Sequence, residues 1–167
     1  MKRLPAVRSL SHILPKGTEG GKEFARIVDI LLFHRLRRES GDLTLLNDAS
    51  GDYAGLDSFS ESLRRSDRTG YQYKFYPSPL SDAHRANIRK ALVNANEHRS
   101  ESKIAKWIIV TPDDLTSSAV RSEGGDIKWI EALRNEWKGK LVIEHWGHTA
   151  LLSMFLETPS LLLYYYL

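Results

Sequence analysis

The sequence predicts an α/β fold built on one mixed sheet with helices on its faces. Three observations predict it: an amphipathic helix early in the chain, a group of short strand-like segments separated by turn residues, and the continuous apolar run Trp107-Ile108-Ile109-Val110, of the kind a buried central strand requires. Read in order, the elements run α-β-β-β-α-β-α-β-α, an alternation that lays helices over a sheet.

Each element has a local reason. Residues 1–20 hold two prolines, glycine and scattered basic residues, and read as an N-terminal arm. From Lys22 the pattern turns helical: Phe24, Ile27, Val28, Leu31 and Leu32 follow i, i+3, i+4, i+7, i+8 spacing and form one apolar face. Arg35, Arg37 and Arg38 sit where the helix dipole favours cations, and Ser40-Gly41 closes the helix. Residues 43–46 are a short strand, 47–52 a turn-forming stretch, and 56–59 and 71–76 the next two strands, with 64–70 a polar loop between them. Ser81 or Asp82 caps a long helix to about His98, with Ile88, Leu92 and Val93 inward. After the apolar strand, a helix at 127–137, a strand at 141–143 and a helix at 149–156 follow. The domain expected at 21–158 gives way to the apolar, aromatic segment 159–167, which reads as the start of a linker or a following domain.

A length of 167 residues with 41% hydrophobic and 27% charged residues suits one globular domain with a real core. The absence of cysteine excludes disulfides and thiolate zinc sites, and fits a cytoplasmic location. No stretch reaches the length of a membrane span, and the basic start lacks the apolar stretch of a signal peptide. Charge is segregated. Residues 41–63 carry five acids and no Lys or Arg, whereas 1–40 carry nine Lys/Arg against four acids and 64–106 carry ten against four. An acidic island between basic flanks suits a cation site beside a phosphate backbone.

The acidic island contains Asp57, and Gln72-Tyr73-Lys74 follows on the next strand. Gln72 and Lys74 share a face because side chains two apart on a strand do. Asp57 is a candidate metal ligand, the oxygen of Gln72 can complete the shell, and a lysine beside a cation supplies what phosphodiester hydrolysis needs: charge for the developing anion and a partner for the attacking water.

These residues resemble the PD-(D/E)XK nuclease superfamily, and within it the Mrr-type restriction endonuclease-like branch. The resemblance covers about residues 20–156 and rests on Gly21-Lys22-Glu23-Phe24, Gly51-Asp52-Tyr53-Ala54-Gly55-Leu56-Asp57, Gln72-Tyr73-Lys74, Trp107-Ile108-Ile109-Val110-Thr111-Pro112 and Ile143-Glu144-His145-Trp146. It implies a restriction-endonuclease-like α-β-β-β-α-β core and a magnesium- or manganese-dependent endonuclease of double-stranded DNA. Asp57 would be the metal ligand, Gln72 would stand in the glutamate position and Lys74 would be the catalytic lysine. Family habit further implies an effector domain of a larger bacterial antiphage or restriction protein, joined to an ATPase or sensor domain, with a homo-oligomer as one form. The sequence departs from the family at the first helix, where a glutamate often follows the phenylalanine. Ala25 stands there, with Glu23 two residues back as a further metal-ligand candidate and Asp29 one turn beyond.

Other polar groups carry weaker expectations. Arg85, Arg89 and Lys90 on the long helix, with His84 and His98, are candidates to line a DNA channel, against the alternative of a solvated face. Asp52 reads as a turn residue, and His145 and His148 as packing or helix-start residues. Tyr71, Tyr73 and Tyr76 are available to stack on bases, although strand propensity alone would place them there. Two further functions stay open: a cleavage-deficient module of the same fold that binds DNA or a partner, and a resolvase-like enzyme on branched DNA.

Overall fold

A computed structural model describes residues 7–39, 41–46, 55–62, 65–117 and 125–166. The elements are α1 (Leu10–Ile13), α2 (Thr18–Arg38), β1 (Gly41–Leu45), β2 (Ser58–Ser62), β3 (Arg65–Tyr73), α3 (Asp82–Glu97), α4 (Arg99–Ser102), β4 (Ile104–Val110), α5 (Asp126–Glu136), β5 (Val142–Trp146), α6 (His148–Leu156) and α7 (Pro159–Tyr166). Among the described residues no helix is long and apolar enough to cross a membrane.

The five strands form one mixed sheet in the order β1-β2-β3-β4-β5. β1, β2 and β3 pair antiparallel, while β3, β4 and β5 pair parallel. The parallel pairs need crossovers, which α3 and α5 supply. Strand alternation then sorts the core into two halves. Tyr71, Tyr73, Ile108 and Val110 pack with Phe24, Ile27, Val28, Leu31 and Leu32 of α2 and with Leu151, Met154 and Phe155 of α6. Trp107 and Ile109 point the other way, against Ile88, Leu92 and Ala95 of α3 and Ile130 and Leu133 of α5. The sheet is therefore the middle of three layers.

The helices fall where the apolar spacing puts them. All five apolar positions read on α2 are buried, and Ser81 caps α3 by accepting from the His84 amide at 3.1 Å. Val93 departs from expectation. It is 39% exposed, because the buried stripe of α3 runs through Ile88, Ala91, Leu92 and Ala95. The strands shift more. β3 begins at Arg65, in the segment expected to be a loop, and ends at Tyr73 rather than 76. Its polar half is held by pairing on both sides: Arg68 lies opposite Glu61 of β2 and Ile104 of β4, forms an ion pair with Glu61 and sits 4.6 Å over the Phe59 ring. Backbone hydrogen bonds decide the strand there, and polar side chains are tolerated.

Both chain ends of the described region join the core. Leu10 and Leu14, within the segment read as an arm, are buried beside α2. The segment read as the start of a linker is helical through Tyr166, and Leu161, Leu162, Tyr165 and Tyr166 pack on the α2–α6 half.

Candidate functional site at the β2–β3 edge

Asp57 immediately precedes β2 and sits opposite the end of β3. Its amide donates to the Tyr71 carbonyl at 2.8 Å and its carbonyl accepts from Leu46 at 2.9 Å, so the backbone is tied on both sides. Gly55 makes the approach possible. It has φ +68°, and an added Cβ would collide with the Ala91 carbonyl on α3. The indole Nε1 of Trp107 donates to the Gly55 carbonyl at 3.1 Å. The lead-in to Asp57 is thus clamped between the sheet and α3.

The Asp57 carboxylate meets β3 directly. Its Oδ2 accepts from Gln72 Nε2 at 2.7 Å and from the Tyr73 amide at 2.6 Å. Gln72 is 1% exposed and lies opposite Ile109 in the register, on the α3–α5 side of the sheet. Lys74 extends the alternation one residue past β3 and so shares that face, with its amide donating to the Val110 carbonyl at 2.9 Å. The three residues named from the sequence are therefore brought to one face at the carboxyl end of β3, the end at which α/β sheets place their sites.

On the other face, Tyr73 and Tyr71 turn inward. The Tyr73 hydroxyl shares a hydrogen bond with Ser58 Oγ at 2.5 Å and donates to Asp29 Oδ1 of α2 at 2.7 Å. Tyr71 pairs likewise with Ser60 at 3.0 Å. Both rings are buried, which removes them as base-stacking platforms. Burial pushes the Asp29 carboxyl above the usual carboxylate range, and it pushes the Tyr73 hydroxyl well up, with the Asp29 charge adding to it. Tyr76 stacks on His84 at 4.0 Å between ring centroids.

The remaining expected site residues are engaged elsewhere. Glu23 accepts from Arg26 at 2.7 Å and from the Tyr165 hydroxyl, and these bonds, the Arg26 one foremost, hold its carboxyl below the usual range. Arg85 is ion-paired at 3.0 Å with Asp126, which is fully buried, and Arg89 is paired at 2.6 Å with Glu136. Both arginines bridge α3 to α5 through these ion pairs. Lys90 is exposed on α3. Asp52 lies outside the described residues.

His145 and His148 behave as packing and helix-start residues. His148 opens α6, and the half-buried His145 ring contacts Thr111 Oγ1 at 2.7 Å through Nε2. Thr111 gives its own proton to the Asp113 carbonyl at 3.0 Å, so Nε2 is the protonated nitrogen of a neutral ring. Burial lowers the His145 pKa to about 4.

One carboxylate and one carboxamide meet at this point. Magnesium keeps much of its water and takes one or two carboxylates together with phosphate oxygens. Asp57 supplies a carboxylate and Gln72 a carboxamide, and among the described residues no group of three His, Cys, Asp or Glu is placed to hold a metal. Comparison of the chain with protein-family models, with curated proteins and with solved structures returned no match.

Proposed function

We propose that this chain is a metal-dependent endonuclease domain that hydrolyses DNA phosphodiester bonds, of the PD-(D/E)XK type, and the effector part of a larger bacterial restriction or antiphage protein. The observation that carries the reading is the joining of Asp57 to Gln72 across β2 and β3, with Lys74 on the same face. The order α2-β1-β2-β3-α3-β4, with a meander followed by a parallel crossover, supports it.

In this reading Asp57, and Gln72 through its carboxamide oxygen, would hold magnesium or manganese. The bound cation supplies Lewis acidity for the charge that develops on the phosphate oxygens. Lys74 positions the attacking water and adds positive charge to the transition state. Tyr73 keeps the Asp57 carboxylate oriented through its amide. The acidic island would otherwise repel the backbone of DNA, so cation loading and DNA binding reinforce each other. Plasmid nicking by the purified chain with magnesium, and its loss in EDTA, tests the reading; intact supercoiled plasmid under both conditions would refute it.

One observation favours a second reading, a cleavage-deficient DNA-binding or interaction module. Asp57 Oδ2 already takes two N–H donors, which satisfies a carboxylate without a cation. DNA retention in a gel shift without nicking at any magnesium concentration would select this module.

A further inference from the structure

The hydrogen bonds around Tyr73 form a closed circuit. The Tyr73 amide binds the Asp57 carboxylate at 2.6 Å on one face of the sheet. The Tyr73 hydroxyl binds Ser58 at 2.5 Å on the other face, and Ser58 is the residue that follows Asp57. A third link ties the same hydroxyl to Asp29 of α2 at 2.7 Å. Ser58 is fully buried and Tyr73 is 8% exposed, so water does not compete freely for these bonds. Asp57 is thereby fixed from below: a one-residue lever runs from Ser58 to Asp57, and its pivot is anchored to the longest helix.

We infer that Tyr73, Ser58 and Asp29 form a positioning brace that sets the Asp57 carboxylate against β3 and so governs how well the site holds a cation. Tyr73 is a positioning residue, acting through Asp57. The hydroxyl serves geometry: what Asp29 contributes is an acceptor oxygen, which an asparagine also offers. A neighbouring pair provides an internal control. Tyr71 and Ser60 make a similar bond at 3.0 Å, one rung along, yet the Tyr71 side chain reaches neither Asp57 nor Asp29. Small displacements of a ligand are costly to chemistry, with errors near 1 Å capable of changing rates by about a hundredfold.

The cleavage arm of the test rests on the endonuclease reading; the exchange arm does not. Amide hydrogen exchange at position 73 is measured in the wild type, Tyr73→Phe, Asp29→Leu, Asp29→Asn and Tyr71→Phe, with the Lys74 amide, bonded to Val110, as reference. Exchange at position 73 should rise about tenfold or more in Tyr73→Phe and Asp29→Leu, stay within about threefold of wild type in Asp29→Asn and Tyr71→Phe, and be unchanged at Lys74 in all. Manganese affinity and nicking rate should follow the same order, with the loss appearing in the metal concentration required. If Tyr73→Phe and Asp29→Leu exchange at position 73 as the wild type does, the brace is wrong. If Asp29→Asn loosens as much as Asp29→Leu, the brace is also wrong, because charge and not the acceptor would matter. If exchange follows the prediction while even the wild type fails to nick, the brace stands and the endonuclease reading falls.

Discussion

Asp57 and Asp126 are both held by main-chain and side-chain donors at the end of a structural element, yet they are built for different ends. Asp126 opens α5, is fully buried, and accepts from the Leu80 amide, Thr116 Oγ1 and the Arg85 guanidinium, the last at 3.0 Å. Its charge is matched within the fold by a cation. The Asp57 carboxylate lies part-buried at the β2–β3 edge and accepts from two neutral donors, the Gln72 amide group and the Tyr73 amide. These two bonds orient the carboxylate against β3. The two carboxylates differ in their surroundings: Asp126 is enclosed at the start of a helix, and Asp57 is part-buried where β2 meets the carboxyl end of β3.

The sharpest way to break this comparison is to remove Asp126. Asp126→Ala leaves Arg85 beside a buried hole and the Leu80 amide without its acceptor, and is expected to cost about 3–5 kcal/mol in chemical denaturation. Asp57→Ala should cost less, because the Asp57 carboxylate is only part-buried, and metal binding should be lost. Equal destabilisation of the two variants would erase the distinction.

His145 sharpens the contrast through pH. Its ring is half-buried, and burial holds its pKa at about 4, against about 6.5 in an unfolded chain. Since the folded value is depressed, the stability of the neutral ring is fully present above pH 6.5 and is lost as pH falls from there toward 4. The full loss amounts to roughly 3 kcal/mol at 1.36 kcal/mol per unit. Denaturation midpoints measured across that window should fall more steeply in the wild type than in His145→Gln.

Gln72→Glu tests the neutral donor itself. A second carboxylate beside Asp57 repels it, so the variant should be about 1–2 kcal/mol less stable in EDTA and recover with magnesium. Thermal melts with and without the ion check this, and a variant indifferent to magnesium would argue against a cation at the pair.

The smallest effect is expected on α3. Arg89 and Glu136 are about half exposed, so Arg89→Ala should change stability by less than about 1 kcal/mol. Lys90→Glu should weaken DNA binding at all sequences alike and reduce the salt slope by about one unit in a gel-shift titration.

What the sequence made legible follows from what decides each feature. Apolar spacing decides helices: the apolar face of α2 could be read residue by residue, whereas on α3 Ile88 and Leu92 were read, Val93 was misplaced and the small Ala91 and Ala95 were missed. Alternation decides which strand residues share a face, which put Gln72 with Lys74 and brought Asp57 to them. Strand ends are decided by pairing between distant segments, so the polar start of β3 looked like a loop. Pairing between helices was equally hidden: Arg85 and Asp126 lie 41 positions apart, and nothing local marks them as partners. Ser58, Ser60, Tyr71 and Tyr73 did leave a signal, two polar–aromatic rungs at matching spacing, but it becomes readable only once the register is known.

The central claim is that Asp57, Gln72 and Lys74 act together on a phosphodiester. Its most direct test is the nicking rate of supercoiled plasmid by the wild type, Lys74→Ala and Asp57→Ala in magnesium. Lys74→Ala keeps the main-chain bond to Val110, so the variant should stay folded while nicking falls by about a hundred- to a thousandfold, and Asp57→Ala should fall at least as far. Nicking by Lys74→Ala at the wild-type rate would contradict the account.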